Sequence, residues 1–390
     1  MPALLGFLSA IGPISTDAYL PAFPAIEASF GSGQGSVQVT LASWFAGLAV
    51  GQVAQGTLTD RFGRRGPLLA GLALYSLASA GCALAPSLGA LTAMRALAAF
   101  GGSACMVIPR AMVRDLADGH AAAKLMSQLM LVMGAAPILA PSLGGAVLGV
   151  ASWRVIFWFA ACYGVAGVAL VWRRLPETLA PQRRVRLGPG GVAARYAAIL
   201  GERSFLAHAA IGGFAMFGMF AYIGGSPPVY IQRYGLGPTQ YGMLFGAGAG
   251  AFILASQANP RLLRRFGAPL VLRVAVRGYL VAAAALAGLA FAGHFGLWSV
   301  FAPVAAALFC MGFVMPNATV GALSRHAAHA GSASALVGTL QFVLASVSGT
   351  LVGWLTDGTA RPLAGLMLLG ASCAALAEAN RNPPVKENTQ

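Results

Sequence analysis

Twelve long apolar runs limit how this chain can fold more than any other feature. They cover 3–24, 37–59, 67–85, 88–110, 124–149 and 152–172, then 204–224, 238–258, 268–291, 296–322, 331–354 and 362–379. A helix crossing about 30 Å of hydrocarbon needs about 20 residues at about 1.5 Å each, and every run is near that length. A membrane barrel would instead show alternating segments of about ten residues. The expected fold class is an all-α membrane protein with twelve transmembrane helices. Composition agrees: 58% of residues are hydrophobic and 9% charged, against about 45–50% and about 25% in soluble domains. A soluble enzyme, a disulfide scaffold and a disordered chain are excluded.

The net charge of +15 raises the question of nucleic acid, but the positive residues sit in short loops between the apolar runs. That is the pattern of membrane anchoring, with no nucleic-acid partner expected. With the N-terminus placed inside, twenty Lys and Arg fall in cytoplasmic segments and three outside (Arg154, Arg233, Arg361), while Arg95 and Arg277 lie within runs. This asymmetry predicts both termini in the cytoplasm. The chain turns apolar by Ala3 with no basic segment before it, so the first run reads as a retained helix. The five cysteines and five histidines are scattered without metal-ligand spacing, so no metal site is expected.

The longest polar stretch, 173–203, lies near the middle. The cluster Arg61, Arg64, Arg65 follows the second run, and Arg261, Arg264, Arg265 follows the eighth, 200 residues later. A repeat of half the chain predicts two pseudo-symmetric six-helix bundles, 1–172 and 204–390, joined by a cytoplasmic linker at 173–203. Transporters built from such repeats bind substrate between the halves.

Residues 56–65 read Gly-Thr-Leu-Thr-Asp-Arg-Phe-Gly-Arg-Arg. This resembles the G-x-x-x-D-R-x-G-R-R signature of the major facilitator superfamily. Residues 15–22 (Ser-Thr-Asp-Ala-Tyr-Leu-Pro-Ala), 109–115, 175–178 (Leu-Pro-Glu-Thr) and 330–335 resemble bicyclomycin-resistance-type (Bcr/CflA) drug:proton antiporters. The segment 134–145 is similar to an antiporter motif, with Pro141, Gly144 and Gly145 matching and Ala140 standing where the family prefers Gly. Small residues of this kind let helices approach closely. The resemblance implies the facilitator fold. It also implies a conformational gate built from Gly56, Asp60, Arg61, Gly63, Arg64 and Arg65, with Arg110 or Arg114 as partners of Asp60 and Asp115 completing the network.

A carboxylate at mid-membrane costs roughly 2.5–3.5 kcal/mol, so Asp17 needs a reason. Asp17 and Arg95 each lie about seven residues from the outer end of their runs, roughly 10 Å deep. The expectation is that they meet or share water, and that Asp17 binds and releases the coupling proton. A cationic substrate could compete for the same carboxylate. The fourth run lacks the Gln that often follows its Arg in the family, and Ser9 stands where some relatives carry a second acid. Substrate contacts are expected from Asp17, Gln52, Phe217, Phe220, Asn317 and Gln341. Phe217 and Phe220 are chosen from a Met- and aromatic-rich seventh run because they share a face.

The reading is a proton-coupled exporter of small lipophilic drugs, bicyclomycin- or amphenicol-like. It would be a monomer in the lipid bilayer of a bacterial inner membrane, driven by the proton-motive force without a cofactor. The alternatives are a facilitator of a metabolite or sugar and, remotely, a polytopic membrane enzyme. No catalytic set of polar residues favours the latter, and the chain is not expected to be an enzyme.

Overall fold

A computed structural model describes residues 2–116, 139–184, 189–293, 296–326 and 330–381. Lys124, Arg186, Lys386 and the first part of the fifth run, to residue 138, lie outside the described residues. The described residues form helices and contain no strand.

The first run is broken where one helix was expected. Its pieces are α1 (Pro2–Ser9), α2 (Ile11–Asp17), a 3-10 turn (Leu20–Ala22) and α3 (Phe23–Phe30). Proline explains both interruptions. A proline ring clashes with the carbonyl four residues back and donates no hydrogen bond. Pro13 is four residues past Ser9, and Pro21 is four past Asp17, where α1 and α2 stop.

The rest of the first half is α4 (Gln38–Phe62), α5 (Arg65–Ala83), α6 (Leu88–Leu116), α7 (Leu139–Leu148) and α8 (Arg154–Arg174). A helix within the linker, α9 (Pro189–Leu200), precedes the second half. That half is α10 (Arg203–Pro227, continued by a π turn at Pro228–Arg233), α11 (Pro238–Phe266), α12 (Ala268–Phe291), α13 (Leu297–Leu323), α14 (Ala330–Leu355) and α15 (Arg361–Ala379).

Among the described residues, eight helices are long and apolar enough to cross a membrane. At 25 and 29 residues, α4 and α11 have the length, but they carry polar residues such as Gln52, Asp60, Ser256 and Gln257 on the faces that line a cavity.

Packing repeats between the halves. In the first, α6 lies between α4 and α5, and α5 also touches α8. In the second, α13 lies between α11 and α12, and α12 touches α15. The halves meet along α4 and α14. They meet again where Gly145 of α7 faces α11, a Cβ at Gly145 falling 2.6 Å from the Pro238 carbonyl oxygen. A Cβ at Gly242 would lie 2.7 Å from the Cα of Ser142, so the glycine stripe of α11 meets the antiporter-like segment.

Candidate functional site

A cavity of about 860 Å³ separates the halves at one end of the molecule. Its α4 wall uses Phe45, Leu48, Gln52, Gly56 and Asp60, spaced three or four residues apart on one helix face. From Phe45 to Arg61 that wall runs about 24 Å at about 1.5 Å per residue. Asp17 lines it among Phe45, Phe220, Tyr222, Phe342 and Met106.

Beyond Phe45 the halves are shut. The Phe45 ring centroid lies 3.9 Å from Phe220 and 6.1 Å from Phe342. Further along α4, Ser346 donates to the Ala42 carbonyl at 2.8 Å and Gln38 to the Gly224 carbonyl at 3.3 Å. At the tip, Glu27 is buried and accepts from the Gly35 N–H at 2.8 Å and from Gln232 of the other half at 3.1 Å. Gln34 donates to the Gln232 amide oxygen. Burial raises the Glu27 pKa above its ordinary value, and these hydrogen bonds offset part of the rise. The Asp60 end is therefore open and the Glu27 end closed.

Asp17 and Arg95 do not come together as expected. Helix geometry gives the reason, since residues two apart differ by about 200° around the axis. Gly12, Pro13, Thr16 and Asp17 face the large cavity, whereas Ile14, Ser15 and Tyr19 border a separate small void with Arg95. Arg95 serves that second face. Its Nη1 donates to the Ser15 carbonyl at 2.9 Å, one of the acceptors left over where α2 ends. Its guanidinium carbon lies 4.2 Å from the Tyr19 ring centroid and 4.3 Å from that of Trp44. Arg95 is only 2% exposed. Cation–π contact and the orphan carbonyl hold its charge there. Asp17 has no ion-pair partner within 4.0 Å among the described residues.

The expected gate residues form a network at the open end. Asp60 pairs with Arg64 at 2.8 Å, four residues on; Arg110 and Arg114 were the expected partners. Of the Arg114 side chain nothing is described. Arg110 lines the cavity. Asp115 accepts from Arg64 Nε at 2.9 Å and from the Thr178 hydroxyl at 3.2 Å. Glu177 binds the turn itself, accepting the N–H groups of Arg64 at 2.8 Å and Arg65 at 3.2 Å, and those of Thr178 and Leu179. Burial pushes the Glu177 pKa up, but the four N–H donors outweigh it and hold it below its ordinary value. Gly63 is needed here twice over. Its φ is 92°, and a Cβ would meet the Glu177 carboxyl carbon at 2.8 Å.

Of the expected substrate residues, Asp17, Gln52, Phe220 and Gln341 line the cavity. Phe217 does not. It is turned against α15, where a Cβ at Gly370 would lie 3.2 Å from its ring, because α10 is enclosed by α13, α14 and α15 and only part of its surface is open. Asn317 is also withdrawn, donating to Asn259 and to the Phe313 carbonyl, both at 2.9 Å. In the antiporter-like segment, Gly144 touches the Ala18 carbonyl too closely to admit any Cβ. Gly144 and Gly145 thus wedge α7 between the chain just after Asp17 and the other half. Pro141 lies in the same contact, facing Gly242.

Sequence reasoning missed several contributors. Glu27 and its partner Gln232 carried no site signal, and Glu177 appeared only within a family-like segment. Arg195 and Tyr196 of α9 reach the cavity mouth, where linker composition suggested only a tether. Among the described residues no group of His, Cys, Asp and Glu is placed to hold a metal.

A sequence profile of the Major Facilitator Superfamily matches residues 5–350. The chain is 36% identical to "Uncharacterized MFS-type transporter YdgK" of Bacillus subtilis, over 96% of this chain and 93% of that protein. It is 31% identical to a "Bicyclomycin resistance protein homolog" of Haemophilus influenzae, over 94% and 92%. It is 30% identical to a "Chloramphenicol resistance protein" of Pseudomonas aeruginosa, over 97% and 91%. Among solved structures, a bacterial homolog of the human lysosomal transporter Spinster, inward-facing and occupied, superposes with a TM-score of 0.74 at 14% identity, covering 97% of this chain and 94% of its own. The xylose transporter XylE from E. coli, partially occluded and inward open, gives 0.73 at 14% identity over 97% and 95%.

Proposed function

The chain belongs to the Major Facilitator Superfamily, and on that premise we propose that it exports small lipophilic drugs in exchange for protons. It is a multi-pass transporter of a bacterial inner membrane. The observation that carries the proposal is Asp17, an acid at the closed end of a large cavity walled by aromatic and methionine side chains. Such walls suit flat apolar compounds of varied shape. The names of the relatives from Haemophilus influenzae and Pseudomonas aeruginosa point to the same substrate class.

In the proposed cycle the two halves rock about this cavity. The Arg-rich end faces the cytoplasm, as the distribution of positive charge favours. The arrangement then corresponds to the inward-open state, with 1–172 and 204–390 as the moving bodies. Drug enters from the cytoplasm and displaces the proton from Asp17. Gly144, packed on Ala18, and Gly145, packed on Pro238, transmit the change at Asp17 to the interface between halves. Arg95 holds the broken first helix by its Ser15 carbonyl and fixes where Asp17 projects. The loop of Asp60, Arg64 and Asp115 forms the inner gate.

The test is drug resistance in a host lacking its own pumps. The chain is expected to raise tolerance to bicyclomycin- or amphenicol-type drugs, with Asp17→Asn abolishing the effect at equal expression. Unchanged tolerance to every drug tried would reject the proposal in favour of a metabolite or sugar facilitator.

A further inference from the structure

Charge in the cavity is graded from one end to the other. At the closed end stands the Asp17 carboxylate, and Arg95 faces away from it into a separate void. At the mouth Arg61, Arg64, Arg110 and Arg195 line the wall with a single carboxylate, Asp60. Arg64 is occupied by Asp60 and Asp115. Among the described residues, counting Asp115, Glu177 and Arg65 behind the wall, five guanidinium groups stand with three carboxylates, so the mouth is positive.

Arg195 differs from the others because it comes from the linker and not from the first half. It lies on α9, which is docked on the second half: Ile199 is 2% exposed and clusters with Phe205, Leu336 and Val337. Docking carries Arg195 and Tyr196 to the cavity wall. Both line the same cavity as Asp60, so α9 faces the gate of the opposite half. A cleft with low-dielectric walls and one sign of charge concentrates that field on whatever enters. A permanent cation attracted to Asp17 must first pass it. A neutral molecule does not feel it, and an anionic group is drawn in.

We infer that Arg195, acting with Arg61 and Arg110, makes the mouth a charge filter that disfavours permanent cations and admits neutral or zwitterionic amphiphiles. The inference rests on the efflux reading and adds a substrate class and a specificity-determining residue to it.

The test uses the full-length protein in nanodiscs of neutral phosphatidylcholine, with three probes: tetraphenylphosphonium (a permanent cation), chloramphenicol (neutral) and ciprofloxacin (a zwitterion). Association with wild type, Arg195→Gln and Arg195→Glu is compared at low and high salt. An entering probe passes within roughly 10 Å of Arg195, so reversing that charge in wet surroundings should raise the tetraphenylphosphonium association rate about threefold to tenfold in Arg195→Glu. Ciprofloxacin should associate more slowly and the chloramphenicol rate should stay within about twofold. Arg195→Gln should fall between, and the differences should shrink at high salt as screening sets in. A merely structural role for Arg195 would move all three probes together. That result overturns the inference, as does a tetraphenylphosphonium association rate that is indifferent to Arg195 at low salt. If no probe binds wild type, the efflux reading falls and this inference with it. Chloramphenicol binding without charge selectivity overturns the inference alone.

Discussion

The closed end of the cavity gives a prediction with opposite signs for two neighbouring substitutions. Gln232 joins the halves twice, donating to Glu27 at 3.1 Å and accepting from Gln34. A hydrogen bond to a charged group contributes about 1.5–3 kcal/mol when sheltered. The exposed Gln34 contact contributes far less, and partial solvation reduces the first, leaving about 1–1.5 kcal/mol in favour of the closed end. Gln232→Ala should therefore shift the ratio of inward-open to outward-open molecules about fivefold to tenfold toward outward-open. Glu27→Gln should shift it the other way. Burial holds the Glu27 pKa above its ordinary 4.5 in the closed arrangement, so proton uptake favours closure. Opening would expose the carboxyl and restore its ordinary value. Acidifying the outer face from neutral toward pH 4.5 should thus populate the inward-open state, and the uncharged amide of Glu27→Gln should imitate it at pH 7. The assay is electron–electron spin resonance between labels at Val150 and Trp298, both exposed at that end, at 89% and 68%. The reasoning is refuted if Gln232→Ala leaves the distance distribution unchanged, or if Glu27→Gln moves it in the same direction as Gln232→Ala.

Three further outcomes are expected. Phe217→Ala, which empties a packed site against α15, should cost about 3 kcal/mol and lower the melting temperature, with drug affinity of the folded protein unchanged; Phe220→Ala and Gln341→Ala should weaken drug binding several-fold. Glu177→Ala should speed amide exchange at Arg64 and Arg65 about tenfold, the effect of losing about 1.4 kcal/mol of local stability. Because the Glu177 pKa is lowered on folding, its contribution is complete above the ordinary value of 4.5 and fades as pH falls through the depressed one, which exchange measured across pH 3–6 checks. Gly145→Val puts a Cβ 2.6 Å from the Pro238 carbonyl oxygen, so it should block closure of the Glu27 end, leave the spin labels far apart and abolish export.

Much of the fold was legible because a bilayer forces the backbone to satisfy itself, leaving run length as an almost sufficient signal. The arginine clusters and the Gly and Pro of 134–145 likewise marked the gate and the close helix contact. What escaped was angular. Asp17 and Arg95 have matching depths, but Pro13 and Pro21 cut the first run, and Ser15 turns toward Arg95 while Asp17 turns away. Both prolines were visible, but Pro109, Pro260, Pro303 and Pro316 sit inside helices that continue through them, so a proline alone did not locate the breaks. Phe217 and Phe220 share a stripe on α10, yet the closeness of α15 buries the first and leaves the second at the cavity. That follows only from tertiary packing. Asn317 is recognisable as polar in an apolar run, but whether Asn259 or a ligand satisfies it depends on the register between α11 and α13. Glu27 and Gln232 are 205 residues apart, and no local pattern links them.

The central claim is that Asp17 carries the coupling proton without an ionic partner. Drug-dependent proton movement in proteoliposomes, read with a pH-sensitive dye for wild type, Asp17→Asn and Arg95→Ala, tests it most directly. The account predicts that imposing a drug gradient drives protons across wild-type vesicles, that Asp17→Asn eliminates this flux while still binding drug, and that Arg95→Ala reduces it by loosening the Ser15 segment. Undiminished drug-driven proton flux in Asp17→Asn would contradict it.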